Sequence, residues 1–121
     1  MDDQQRLAGL FRAIDRKDAR TFATFLAPEC VFRFGNMPAV EGRETVEAFV
    51  AGFFDSIAAL SHEVLDVWDV PGGTVCHGNV TYTRKDRSVL TVPFANVFRM
   101  SGDGIAEYLI FADTSLLYAA K

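Results

Sequence analysis

The chain has 121 residues, 50% of them hydrophobic, with 11 phenylalanines and a formal net charge of -4. That length suits one compact domain with ample apolar surface for a core, and it is too short for two. Acids and bases are scattered without a basic stripe, which argues against nucleic acid as a partner, and no apolar run reaches the ~18 residues that would span a membrane.

The first ten residues, MDDQQRLAGL, are acidic and polar, unlike a secretory signal, so the expected compartment is the cytoplasm. Residues 2–16 place Leu7, Leu10, Phe11 and Ile14 on one helical face, with Asp2 and Asp3 at the positive end. Asp18 can cap a second short helix carrying Phe22, Phe25 and Leu26, with Pro28 as its stop. CVFRFG (30–35) reads as a short strand and NMPAVEG (36–42) as a loop. Residues 43–59 hold Val46, Phe49, Val50, Phe53, Phe54 and Ile57 in a wide apolar stripe, which predicts a third helix. The second half predicts strands over 61–70, 74–84 and 88–100 and a last one within 104–119, joined by the turn sequences PGG, KDRS and SGDG. Three helices before a meander of four long antiparallel strands predict a single α+β domain over 1–121, its helices packed on one face of a curved sheet. Such a sheet tends to enclose a cavity, and cavities of that kind host small ligands. Cys30 and Cys76 stand far apart without metal-type spacing and read as two buried thiols.

The strands mix polar and apolar residues on both faces. In TVCHGNVTYTR (74–84), Val75, His77 and Asn79 share one face and Cys76, Gly78, Val80 and Tyr82 the other. In the next strand Val92, Phe94, Asn96 and Phe98 share a face. In the last, Leu109, Phe111 and Asp113 oppose Tyr108, Ile110 and Ala112. Periodicity leaves open which faces meet the helices. Single polar groups among large apolar ones fit an apolar pocket with a few placed polar groups, and equally a core with a few hydrogen-bonded polar residues.

FLAPECVFRFGNMPAVEGRETVEAF, VTYTRKDRSVLTVPFANVFRM and GIAEYLIFADTSLL together resemble the SnoaL-like group of the nuclear transport factor 2-like superfamily, over nearly the whole chain. The resemblance implies a cone of curved sheet closed by three N-terminal helices around one deep pocket, and a homodimer. That superfamily includes polyketide cyclases, ketosteroid isomerases, limonene-type epoxide hydrolases and non-catalytic binders. Set beside the isomerases, the general-base position falls on Arg33, which stays charged and cannot take a proton. Their second acid falls on Asn96, which can still donate a hydrogen bond. Their tyrosine in the first helix has no counterpart beside Phe11 and Ile14. Similarity to the hydrolases would use Arg84, Asp86 and Asp113, although Asp86 also suits a hairpin turn. Similarity to the cyclases carries over one residue, Asp113, as the pocket acid or base.

The candidate catalytic residues are therefore Asp113 and His77. The candidate substrate-binding residues are Arg33, Asn96, Asn79, Phe94, Phe98, Phe111, Leu109 and Trp68. Asp113 in an apolar cavity would have a raised pKa and suit proton transfer. Alternatively it pairs with Arg33, or caps the turn in ADTS. Arg33 is either a ligand anchor, that pair's partner, or exposed. His77 assists catalysis or is a hydrogen-bonded structural residue, and His62, near a strand start, reads as solvated. Neither metal-binding spacing, nor a Walker loop, nor a dinucleotide glycine pattern occurs, so no metal and no cofactor is expected. The expectation is a pocket for a small apolar molecule carrying a carbonyl or hydroxyl. Two functions remain open: a cofactor-free cyclase, isomerase or hydrolase acting on a polyketide- or terpenoid-like substrate, or a non-catalytic ligand-binding or dimerisation module.

Overall fold

The computed structural model describes residues 3–118. Its elements are α1 (Asp3–Asp15), α2 (Ala19–Ala23), β1 (Leu26–Phe34), β2 (Val40–Glu41), α3 (Arg43–Asp55), β3 (Ala59–Val70), β4 (Gly73–Thr83), β5 (Val89–Ser101) and β6 (Gly104–Ala112). The strands form one six-stranded sheet in the order β2-β1-β6-β5-β4-β3. This is the expected α+β layer of helices on a sheet, with one difference. The sheet is mixed rather than antiparallel throughout, because β1 runs parallel to β6. Its two edges are β3 and β2.

Each boundary has a local cause. α1 ends in a Schellman-type cap: the Asp18 and Lys17 N–H groups donate to the carbonyls of Ala13 and Ile14, and Lys17 takes a positive φ of 57°. Asp18 then caps α2, its Oδ1 accepting the Thr21 N–H at 3.0 Å. The second helix stops before Leu26, which already pairs with Ile105 as the first residue of β1. Pro28 therefore does not end a helix. It sits exposed in β1, inside the register irregularity between Leu26 and Val31, where a missing N–H is tolerated. Val40–Glu41, expected as loop, forms a two-residue strand on β1, and α3 ends at Asp55, four residues early.

The meander β3-β4-β5-β6 forms as its alternation predicts. On β4 every second residue is buried: Thr74, Cys76, Gly78, Val80 and Tyr82. Gly78 lies against the bulge in β3, where an added Cβ would strike the Glu63 carbonyl, so only glycine fits. The helices cover this inner face with Leu10 (1% exposed), Phe22, Val46 and Phe54. Burying each such side chain contributes about 1.5–3 kcal/mol. Among the described residues no helix is long and apolar enough to cross a membrane.

Candidate functional site

A cavity opens between the helices and the inner face of the sheet. β1 contributes Phe32 and Phe34, β3 Leu60 and His62, β4 Val80 and Tyr82, β5 Phe94 and Asn96, and β6 Tyr108 and Ile110. Residues of five strands line one space, so the sheet wraps around it. α3 closes it with Phe49, Val50, Phe53 and Phe54. The empty space is about 510 Å³ including its open mouth, and it narrows to a slot lined by seven phenylalanines and two tyrosines.

Two side chains of distinct polarity enter this wall, His62 and Asn96. His62 comes from the edge strand β3, and its backbone N–H points away from β4 to Asp15 Oδ2 at 3.1 Å. Its ring Nδ1 lies 2.6 Å from Asp15 Oδ1. A carboxylate only accepts, so Nδ1 carries a proton, and in the neutral tautomer this leaves Nε2 as the acceptor. The ring is wedged between Phe11 and Phe94, with centroids at 4.7 and 5.2 Å. The His62 side chain is 10% exposed and that of Asp15 29%. Asp15 ends α1, where a carboxylate opposes the helix dipole. Its two bonds to His62 offset that cost and fasten the helix to the sheet edge.

Asn96 is 2% exposed, and its Oδ1 is, among the described residues, the buried side-chain polar atom without a hydrogen-bond partner. Burial pushes the phenols of Tyr82 and Tyr108 well above the ordinary tyrosine value, so both stay protonated and act as donors, not bases.

The structure separates the residues singled out from the sequence. Phe94 and Asn96 stand in the cavity wall. Phe98 is buried on the same face but packs on Tyr108, centroids 4.6 Å apart, away from the cavity. The other candidates lie on the outer face. β6 turns Tyr108 and Ile110 inward, so Leu109, Phe111 and Asp113 point out. Asp113 is exposed beyond the end of β6, where its Oδ1 accepts the Ser115 N–H at 3.0 Å and that bond lowers its pKa. The expected desolvated acid is therefore a turn cap. Arg33, paired in register with Leu109, is exposed and forms no ion pair with Asp113. His77 sits outside, 3.1 Å from Asp66 Oδ2, and Asn79 shares that face. Trp68 is 51% exposed rather than part of the wall. Arg84 donates to the Leu116 and Leu117 carbonyls and to Ser88 Oγ, while Asp86 accepts from Ser88 in the hairpin turn. Arg84, Asp86 and Asp113 thus do not assemble a hydrolase-like site.

Sequence reasoning missed His62, Asp15, Tyr82 and Tyr108. Two signals pointed to them: His62 alternates with buried Leu60, and Asp15 follows Phe11 by four residues on the apolar face of α1. Among the described residues no three His, Cys, Asp or Glu side chains converge as metal ligands would.

Comparison with solved structures places the fold among known relatives. The chain is similar to an NTF2-like protein of unknown function from Burkholderia pseudomallei, with TM-score 0.86, 18% identity and coverage of 97% of this chain and 95% of that one. It is similar to a putative SnoaL-like polyketide cyclase from a Jannaschia species, with TM-score 0.76, 20% identity and coverage of 94% and 89%. A hypothetical protein of ketosteroid isomerase-like fold from Catenulispora acidiphila gives TM-score 0.81 at 14% identity, with coverage of 88% and 84%. At these identities the likeness shows the fold alone. No curated protein matches the chain in sequence. The SnoaL-like domain family matches residues 7–108, nearly the full length of helices and sheet, and the chain belongs to that family.

Proposed function

We propose that this chain binds a small, largely apolar molecule in the slot and acts on it by cofactor-free general acid–base chemistry at His62. The observation that carries this is the Asp15–His62 pair, at 2.6 Å, on the wall of an aromatic cavity. Asp15 fixes the ring so that Nε2 can take a proton from a ligand, and its charge stabilises the imidazolium that forms. Nε2 then returns the proton to a second atom, which is the cycle needed by an isomerase, a cyclase or a dehydrating enzyme. The neutral phenols and Asn96 supply hydrogen bonds to the ligand without bringing a competing charge.

A generic carbon acid tests the reading without knowledge of the natural substrate. 5-Nitrobenzisoxazole is flat and uncharged. A base removes its C3 proton as the ring N–O bond breaks, giving a coloured cyanonitrophenolate. The expected result is turnover above buffer that His62→Ala lowers by ~100-fold, in the usual range for loss of a general base. A His62→Ala protein with the wild-type rate would overturn the assignment.

A second reading concerns assembly. The outer face of the sheet exposes Trp68, Val70, Val89 and Phe111, from 42% to 58%. Exposed acids, Glu63 and Asp66, lie on β3, and exposed Arg33 lies on β1 near the opposite edge. A two-fold axis through this face would set the acids of one copy against Arg33 of the other, which supports a homodimer.

A further inference from the structure

The lining of the slot divides by exposure. Apart from His62 at the sheet edge, its half-buried residues are Phe49 and Phe53 on α3 and Ile110 on β6, so the mouth opens between those two elements. Residues 113–118 join the same two walls. They leave β6 three residues after Ile110, and at Tyr118 the chain has reached the end of α3, where the Tyr118 hydroxyl and Ser56 Oγ lie 2.6 Å apart. Ser56 Oγ gives its proton to the Phe53 carbonyl, so Tyr118 is the donor to Ser56. Arg84 fastens the middle of the segment, its Nε and Nη2 donating to the Leu117 and Leu116 carbonyls at 2.9 and 3.0 Å. Arg84 follows Tyr82 by two residues and so continues the inward side of β4, next to the slot. Leu117 is 2% exposed, while Leu116 and Tyr118 face solvent. Among the described residues, no backbone–backbone hydrogen bond ties 114–118 to a strand or helix.

From this we propose that residues 113–118 are a latch across the mouth of the slot, held shut by Arg84 and by the Tyr118–Ser56 hydrogen bond, and that a ligand enters and leaves when it lifts. The proposal rests on the slot as the ligand's place, and not on chemistry at His62. The fasteners are few and come from side chains, so the segment can part from the domain without breaking the sheet ladder. Leu117 fills the space beside Ile57 at the end of α3. Its withdrawal leaves room for Phe53 and Tyr82, now in edge contact with centroids 6.0 Å apart, to separate. After burial, the nearby Tyr118 phenol is the second cause of the raised Tyr82 pKa, which fits a latch lying against that wall. Burial of Leu117 favours the shut state, and a shut latch keeps water from a proton in transfer.

Prodan, a flat uncharged naphthalene whose emission brightens in apolar surroundings, tests the latch by stopped-flow fluorescence. The ring signals of His62 in NMR spectra locate it in the slot. The latch closes over a bound ligand as it does over the empty slot, and it must lift for entry and exit alike. A weaker latch therefore speeds both steps and leaves the affinity alone. Tyr118→Phe should raise the association and dissociation rate constants together by about threefold, and Arg84→Met by about tenfold, with Kd within about twofold of wild type. A segment that merely supports the fold would instead give faster dissociation at an unchanged association rate. Should Arg84→Met fail to fold, Tyr118→Phe carries the test alone. Rates equal to wild type, or faster dissociation alone, would overturn the latch while leaving the slot. If prodan moves no His62 signal in any of the proteins, the slot falls as a ligand site and the latch falls with it.

Discussion

Asp15→Ala should be the most informative single change, because the carboxylate serves stability and chemistry through separate bonds. Its loss leaves the His62 N–H and Nδ1–H without acceptors on an edge strand. Hydrogen bonds to a charged group contribute ~1.5–3 kcal/mol each. Two would give ~3–6, reduced because the Asp15 side chain is 29% exposed and water can replace it in part. Removing a carboxylate from the negative end of α1 returns ~0.3–1 kcal/mol. The expected net loss is ~2–3 kcal/mol, or a fall of about 10 °C in Tm for a chain of this length. Urea and thermal unfolding measure it. Asp15→Asn separates the two roles. The amide can accept the backbone N–H and donate to Nδ1, which keeps most of the stability. The ring then carries its proton on Nε2 and loses its lone pair toward the slot, so carbon-acid turnover should fall by at least ~100-fold. A loss of stability below ~0.5 kcal/mol in Asp15→Ala would mean that the pair is worth no more than a surface ion pair, and the reasoning would fail.

On the outer face, Trp68→Glu and Phe111→Glu each place a charge among the exposed apolar residues. Sedimentation should show the wild-type mass halved with the fold intact, and a wild-type protein that is already monomeric would refute the homodimer. A further prediction concerns alkaline pH. Burial raises the Cys30 thiol to about 11 and the Cys76 thiol to about 12, from an ordinary value of 9.0, and the two buried phenols shift the same way. The unfolded chain ionises these groups before the folded one does. The stability they support is therefore complete below about pH 9 and is lost as pH rises toward their folded values. The urea midpoint should be lower at about pH 10.5 than at about pH 8, and an unchanged midpoint would contradict the burial.

The fold was legible because its signals are local. The stripe on α1, the stripe on α3 and the turns at PGG, KDRS and SGDG each lie within a few residues, and each forms at its predicted place, except that α3 stops four residues early at Asp55. The parallel pairing of β1 with β6 was not, since it joins residues such as Phe32 and Tyr108 across most of the chain. The site was half legible. Asn96 could be found because Phe94 and Phe98 flank it at period two while the alternate residues, Ala95 and Val97, are smaller. On β6 the same reasoning had nothing to hold: Leu109 and Phe111 are as apolar as Tyr108 and Ile110. The sheet presents an apolar outer face as well as an apolar inner one, so hydropathy cannot choose, and a choice off by one residue moves Asp113 from outside to inside. The Asp15–His62 pair joins residues 47 apart, a contact no local pattern announces.

The position of the acid also follows from energetics. A lone carboxylate in a slot lined by seven phenylalanines would lose its hydration without a partner, and would stay protonated or cost several kcal/mol to ionise. The chain instead keeps its carboxylate at the margin, on a helix end that is partly exposed, and sends an imidazole into the slot in its place. On the proposed reading the base is uncharged before it takes the proton, so the slot gains a charge only during the transfer. The imidazolium exists only while the proton is held, and then Asp15 is already in contact with it. Proton transfer inside an aromatic cavity becomes affordable under that arrangement, and a carboxylate at position 113 would not have been an equivalent route to it even had the strand turned the other way.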